Sequence, residues 1–298
     1  MLDLLHHGKT KLSIELAKQI NGEIVSADSM QIYKDMTIGT AKPSEKEMQG
    51  IKHYLIDNIL PNQRYSVSDY KKDATKAIEE ICNKNKTPIV VGGTGLYIDS
   101  LIYNIEYPKL ILDEKYREHL NKIIEQQGLE ALYKKALEID PQSMKKISIN
   151  DKKRIMRVLE IFHQTGKTKT EQEIESRKIQ TPYNYKAFAI YIDREILYDR
   201  INKRVDNMIK SGLIEEVKNL LIKYKSFPTA LQGLGYKETK QYLNGEITKT
   251  EMIDKIKQES RRYAKRQLTW FRKNKNIIWL NGMDDLEKNI SIIIEQMR

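Results

Sequence analysis

The sequence predicts an α/β protein in which a parallel sheet core is interrupted by an all-helical insertion. Three observations predict it. Short apolar strand candidates alternate with amphipathic helices between residues 10 and 107, the pattern of a parallel sheet. The turns after these strands carry Asp28 and Gly92-Gly93-Thr94-Gly95, at the strand ends where open α/β sheets hold their ligands. Beyond Tyr107-Pro108 the texture changes, and residues 113–181 show helical periodicity without a strand candidate.

In order along the chain, Thr10 to Gln19 reads as a helix with Leu12, Leu16, Ala17 and Ile20 on one side, ended by Asn21-Gly22. Glu23 to Ala27 is a short strand leading into Asp28. Residues 52–57 form a second. Ser66 or Ser68 caps a helix over 69–83. Pro88 to Val91, apolar without alternation, reads as a buried parallel strand. A helix follows from Leu96. The helical insertion, over 108–182, contains the segments 116–126, 129–137 and 151–163. The core resumes over 183–298 with a strand at 187–192. Helices follow, with a turn at Gly233-Leu234-Gly235-Tyr236 and a late strand at 277–280.

A length of 298 residues allows a sizeable core. The net charge of +11 favours an anionic partner, nucleic acid first and a membrane surface second, against the plainer reading of a Lys-rich solvated surface. The single cysteine, Cys82, excludes internal disulfides and fits a reducing cytoplasm. Its expected role is that of a small buried apolar residue. No apolar run reaches the roughly 18 residues of a membrane span, and the first residues do not read as a signal peptide. A monomer without a membrane partner is expected.

Several short motifs carry chemistry. Gly8-Lys9-Thr10 is the back end of a phosphate-binding loop, G-x-x-x-x-G-K-[ST], and makes the core P-loop NTPase-like. In such a loop backbone N–H groups cradle phosphates, the Lys neutralises them and the Thr hydroxyl holds Mg²⁺. An ordinary glycine turn before a helix is the competing reading. The front of the loop departs from the pattern, with Asp3 where the first Gly belongs, and the first core strand is expected to be missing before it. Asp28, at a strand end, suits a general base or a Mg²⁺ partner, or equally a turn cap. Gly92-Gly93-Thr94-Gly95 allows a ligand close to the backbone, or is a plain strand-to-helix turn. Arg200 and Arg204, four residues apart, share a helix face and suit a pyrophosphate clamp, or are surface charges. Segment 255–275 holds nine Lys or Arg interleaved with Tyr263, Trp270 and Phe271. That mixture suits looped RNA, or a solvated face over an aromatic core stripe.

Taken together, the chain resembles the bacterial tRNA dimethylallyltransferases, also called tRNA isopentenyltransferases. The resemblance runs from Gly8 onward. It is carried by Ser26-Ala27-Asp28-Ser29-Met30-Gln31-Ile32-Tyr33, Met36 to Pro43, Tyr65 to Tyr70, and Val91 to Tyr97. It continues through Asn150-Asp151 with Arg154, Arg157 to Glu160, Gln232 to Lys237, and Ala264 to Phe271. The resemblance implies transfer of a dimethylallyl group from dimethylallyl diphosphate to N6 of the adenine beside the anticodon (position 37) in tRNAs reading codons that begin with U.

By the same resemblance Asp28, Thr94 and Arg204 are the catalytic residues, and Gly8, Lys9, Thr10 and Arg204 bind the diphosphate. Thr10 holds Mg²⁺, the one cofactor expected. The implied tRNA contacts are Asp28, Ser29, Met30, Gln31, Arg117, Lys153, Arg154, Ile155, Met156, Arg157, Gln232, Gly233, Leu234, Gly235, Tyr236 and Lys237. The target base is expected to leave its stack, and the insertion to close over the anticodon stem-loop. The family's loop reads Gly-Pro-Thr-Ala-Ser-Gly-Lys-Thr. Residues 3–7 here are read as out-of-frame residues replacing its front, so impaired activity is expected. Two alternatives stand beside this reading: a small-molecule P-loop kinase, and an RNA-binding protein whose catalytic loop has decayed.

Overall fold

A computed structural model of the chain describes residues 8–108, 110–111, 113–176 and 178–297. The expectations for residues 3–7 and for a strand before Gly8 lie outside the described residues. Two compact units emerge, one of Met1–Ile98 with Asn184–Arg298 and one of Asp99–Tyr183.

In the first unit, Gly8 opens helix α1 (Lys9–Gln19) from a left-handed conformation with φ 95°, which a side chain would disfavour. Strand β1 (Gly22–Ser26) is buried along its whole length. Helix α2 (Glu45–Met48) is one turn held by a Ser44–Glu47 capping box. Strand β2 spans only His53–Tyr54, shorter than the expected 52–57, because Leu55 and Asp57 turn to φ 61° and 56°. Helix α3 (Val67–Asn83) starts at Ser66, whose hydroxyl pairs with Asp69 in a capping box. Strand β3 (Thr87–Val91) and helix α4 (Gly95–Ile102) follow. All pairs are parallel, in the order β2-β1-β3. Cys82 is exposed, not buried as expected. It follows Ile81 on α3, and one residue turns it about 100° away from the buried stripe of Ile78 and Ile81.

The second unit is all helical: α5 (Glu114–Ile139), broken at Gly128 by φ 80° and ψ 165°, then α6 (Pro141–Met144), α7 (Lys152–Thr165) and α8 (Lys169–Ser176). Its core joins Leu120, Ile123, Leu132, Ala136, Met144 and Val158. The unit begins inside α4, ahead of the change of texture at Tyr107-Pro108, because that helix runs on to Ile102.

The first unit resumes with β4 (Phe188–Tyr191), α9 (Arg194–Lys210) and α10 (Leu213–Lys223). A 3-10 turn (Ala230–Gln232) leads to α11 (Tyr236–Leu243) and α12 (Lys249–Phe271). Strand β5 (Ile278–Asn281) and α13 (Leu286–Met297) end the chain's described part. β4 and β5 pair in parallel as a second sheet. One core serves both sheets, joining Ile24, Ile89 and Val91 to Phe188, Ile190 and Leu280. Among the described residues no helix is long and apolar enough to cross a membrane.

Candidate active site

The site grows from the ends of β1 and β3. The Ala27 N–H donates to Val91 O (2.8 Å), and the Thr94 N–H donates to Ala27 O (3.1 Å). The Ser29 N–H donates to Thr94 Oγ1 at 3.0 Å. Between these anchored neighbours, Asp28 turns its Oδ1 to accept the N–H groups of Met30 (2.8 Å) and Gln31 (3.2 Å). The carboxylate is therefore aimed by its own backbone.

The glycines of the second turn serve packing. A Cβ on Gly92 would strike the Ala27 backbone. A Cβ on Gly95 would come 2.5 Å from Trp270 Cδ1. A tight strand-to-helix turn describes Gly95, while Gly92 both packs on Ala27 and lines a cavity with Lys9 and Thr10. Helix α12 seals the turn, with Gln267 Nε2 donating to Gly93 O at 2.8 Å.

Two cavities meet at Asp28, which lines both. The smaller is edged by Lys9, Thr10, Ser13, Ser26, Gln31 and His53, a cationic and hydroxyl-rich set suited to phosphate oxygens. The His53 Nδ1 bonds Ile51 O at 2.8 Å, and burial lowers its pKa while that bond opposes the shift. The larger cavity, about 290 Å³, has an apolar wall of Ile201, Val205, Met208 and Ile256, and Arg204, Tyr263 and Arg266 are among its polar groups beside Asp28. Lys9 and Thr10 thus face one cavity and Arg204 the other. Arg200 does not join Arg204, since its guanidinium lies 3.6 Å from Met283 Sδ.

The expected tRNA-contacting residues divide between the two units. Ser29, Met30, Gln232, Gly233, Leu234 and Tyr236 line the larger cavity. Gln31 lines the smaller one and donates through Nε2 to Thr40 O at 3.2 Å. Gly235 is the left-handed start of α11 and Lys237 is exposed. In the helical unit, Arg117 binds the Glu160 carboxylate through Nε and Nη2. Arg154 pairs with Asp151 at 2.9 Å. Lys153 and Arg157 lie on the same helix, α7. Ile155 is fully buried and Met156 packs against the same core. The Ile155 side chain therefore anchors α7 and does not face a partner.

Residues 31–274 match the model of the IPP transferase family. The chain belongs to the IPP transferase family. It is 50% identical over 287 residues to the tRNA dimethylallyltransferase of Acetivibrio thermocellus, covering 96% of this chain and 91% of that protein. The solved tRNA isopentenylpyrophosphate transferase of Bacillus halodurans is 41% identical, with a TM-score of 0.74 over 99% of this chain and 94% of that one. A eukaryotic dimethylallyltransferase acting on tRNA is 29% identical, with a TM-score of 0.81 over 98% of this chain and 76% of that one. The kinase reading finds no support in these relatives.

In this IPP transferase Tyr263 is a site residue, beyond the two readings its segment carries in the sequence, RNA stacking or an aromatic core stripe. In the fold it lines the larger cavity with Asp28. Burial first, and the Asp28 charge second, push its phenol up to about 12, against a bond to Thr94. The i, i+4 spacing of Tyr263 and Gln267 on α12, both turned to the β3–α4 turn, was the available signal. Phe271 on the same helix is buried, in keeping with a core stripe, while Lys273 sits 5.4 Å above the half-exposed Trp270 ring.

The residues of the smaller cavity fit Mg²⁺ as a shared ligand. Among the described residues no cluster of three or more His, Cys, Asp or Glu could hold a metal alone. The cavity offers one carboxylate, Asp28, and the hydroxyls of Thr10 and Ser26. Mg²⁺ characteristically takes one or two carboxylates and completes its shell with water and substrate phosphates.

Proposed function

We propose that this chain transfers a dimethylallyl group from dimethylallyl diphosphate to N6 of the adenine at position 37 of tRNAs reading codons that begin with U. The observation that carries the reading is Asp28, shared by a phosphate-type cavity and a larger, mainly apolar one. In this reading the diphosphate occupies the first, held by the Gly8-Lys9-Thr10 turn. The flipped adenine enters the second, beside Met30, Gln232 to Leu234 and Tyr236.

The chemistry balances over the groups present. The N6 lone pair forms the new C–N bond as the C–O bond to the diphosphate breaks. The displaced N6 proton passes to the Asp28 carboxylate, and the electron pair leaves with the diphosphate. Lys9, and Arg204 from the other cavity, offset the charge that develops on the leaving group. Thr94 Oγ1 holds the Asp28 turn, and Tyr263 bonds Thr94 in turn. Mg²⁺, held by the Thr10 hydroxyl, would supply further charge neutralisation to the diphosphate. In the helical unit Arg117, Lys153, Arg154 and Arg157 offer phosphate contacts to the same tRNA. The reaction belongs in the cytoplasm.

The test is incorporation of label from dimethylallyl diphosphate into unmodified tRNA. It uses the chain as it stands and a form with residues 3–7 replaced by Gly-Pro-Thr-Ala-Ser. Incorporation is expected to rise in the second form, because Asp3 no longer stands at the loop's first Gly position. RNA binding without incorporation in either form overturns the assignment in favour of a binding protein. Phosphoryl transfer from ATP overturns it in favour of a kinase.

A further inference from the structure

Glu216, in the first turn of α10, turns its carboxylate into three consecutive backbone N–H groups. Oε2 accepts from Thr37 (2.9 Å) and Ile38 (2.7 Å), and Oε1 accepts from Gly39 (3.1 Å). The Tyr236 hydroxyl donates the fourth bond, to Oε1 at 2.6 Å. Successive N–H groups converging on one point make an anion nest. Here the anion comes from the chain itself, and its lone-pair sites are filled.

Two of these four donors, Gly39 and Tyr236, belong to residues of the larger cavity's wall. The Tyr236 ring lies so close to Gly39 that any Cβ there would strike it. Gly39, Thr40 and Tyr236 line that cavity together with Asp28 and Arg204. Burial and the Glu216 charge push the Tyr236 phenol far above its usual range, so it remains a donor to the carboxylate. One side chain on α10 thus ties loop 37–40 to the start of α11.

We infer that Glu216 is a positioning residue that sets the wall of the base-receiving cavity before RNA arrives. The inference rests on the reading that adenine enters this cavity. A wall fixed by four hydrogen bonds costs no ordering when the base is captured. Loss of the carboxylate leaves loop 37–40 and Tyr236 to be ordered by the incoming base. Glu216→Gln keeps an acceptor for Thr37 and Ile38 but presents an NH₂ group to the Gly39 N–H.

The experiment uses the full chain and two anticodon stem-loop RNAs, one with adenine at the target position and one abasic there. Binding constants at fixed salt are compared for wild type, Glu216→Gln, Glu216→Ala and Tyr236→Phe, with thermal melts as the folding control. Wild type should prefer the adenine loop. Glu216→Gln should narrow that preference about tenfold, and Tyr236→Phe by less. Abasic binding, which is mostly phosphate contact, should hold steady. If Glu216→Ala fails to fold, the Gln and Phe variants still carry the comparison. A purely structural Glu216 would lower the melting temperature and leave the adenine-to-abasic ratio unchanged, which overturns the inference. Equal binding of both RNAs by wild type is a different failure, because it overturns adenine capture itself.

Discussion

Thr94 Oγ1 accepts the N–H of Ser29 at 3.0 Å, binding the turn after β3 to the residue that follows Asp28. With the Thr94 N–H on Ala27 O, both chain neighbours of Asp28 are held by one residue. Thr94→Val keeps the shape and removes the acceptor, leaving the Ser29 N–H without its partner. Stability should fall by about 1–3 kcal/mol, and single-turnover transfer should slow at least tenfold, by the order of magnitude expected when a base is misaligned. Thr94→Ser should behave nearly as wild type. A Val variant that transfers at the wild-type rate would refute the coupling.

Asp28 combines a structural bond with a chemical one, and two substitutions separate them. Asp28→Asn can still present an oxygen to the N–H groups of Met30 and Gln31 but cannot take a proton. It should melt like wild type while kcat drops by roughly 10²-fold or more. Asp28→Ala should lose the turn as well, at a further cost near 1 kcal/mol. Matched melts and rapid-quench assays check both. Equal kcat in Asn and wild type would remove Asp28 from the chemistry.

Gly92 is predicted to be the least tolerant glycine of the turn. Its missing side chain is where the Ala27 backbone passes, and backbone cannot swing aside as a side-chain end can. Gly92→Ala should destabilise the protein by about 2–3 kcal/mol and displace Asp28, reducing transfer further than the melt alone explains. By contrast, Gly245→Ala, on the turn after α11 with open space around it, should cost only the strain of its φ of 74°, about 1 kcal/mol. Denaturant midpoints compare the two.

Thr10 is expected to act through Mg²⁺. Chelation with EDTA should stop transfer, and added Mg²⁺ should restore it. Thr10→Val should raise the Mg²⁺ concentration needed for half-maximal rate by about tenfold, of the order expected for one lost ligand, while Thr10→Ser should not. An unchanged Mg²⁺ dependence in the Val variant would place the metal elsewhere.

The strand–turn–helix units were legible because their signals are local. Apolar runs at Glu23–Ala27 and Pro88–Val91, each ending in Asp or Gly, fix both the strands and the end of the sheet where ligands sit. What escaped depends on direction in space. Arg200 and Arg204 share a helix face by spacing, yet one reaches Met283 and the other the cavity. Tyr263 sat among basic residues in sequence and beside Asp28 in the fold. Glu216 carried no motif at all, because three of its four partners are backbone N–H groups more than 170 residues away, and backbone atoms leave no residue type to read.

His53 gives the last prediction, a dependence of stability on pH. Its ring lines the smaller cavity with Lys9 and Thr10. Burial is the larger influence and lowers its pKa, and the bond to Ile51 O opposes this only in part. The folded protein therefore holds the neutral ring at pH values where the unfolded chain already binds a proton. Unfolded histidine titrates near 6.5, so the His53 contribution is fully present above about that pH. It is lost as pH falls from there toward the lower folded value, because protonation favours the unfolded chain. Urea unfolding at pH 7.5 and pH 5.5 should show wild type losing more stability on acidification than His53→Asn. Every other group is common to the two proteins and cancels in the difference. Parallel losses in the two proteins would show that the ring takes up its proton as readily folded as unfolded, against the burial seen beside Ile51.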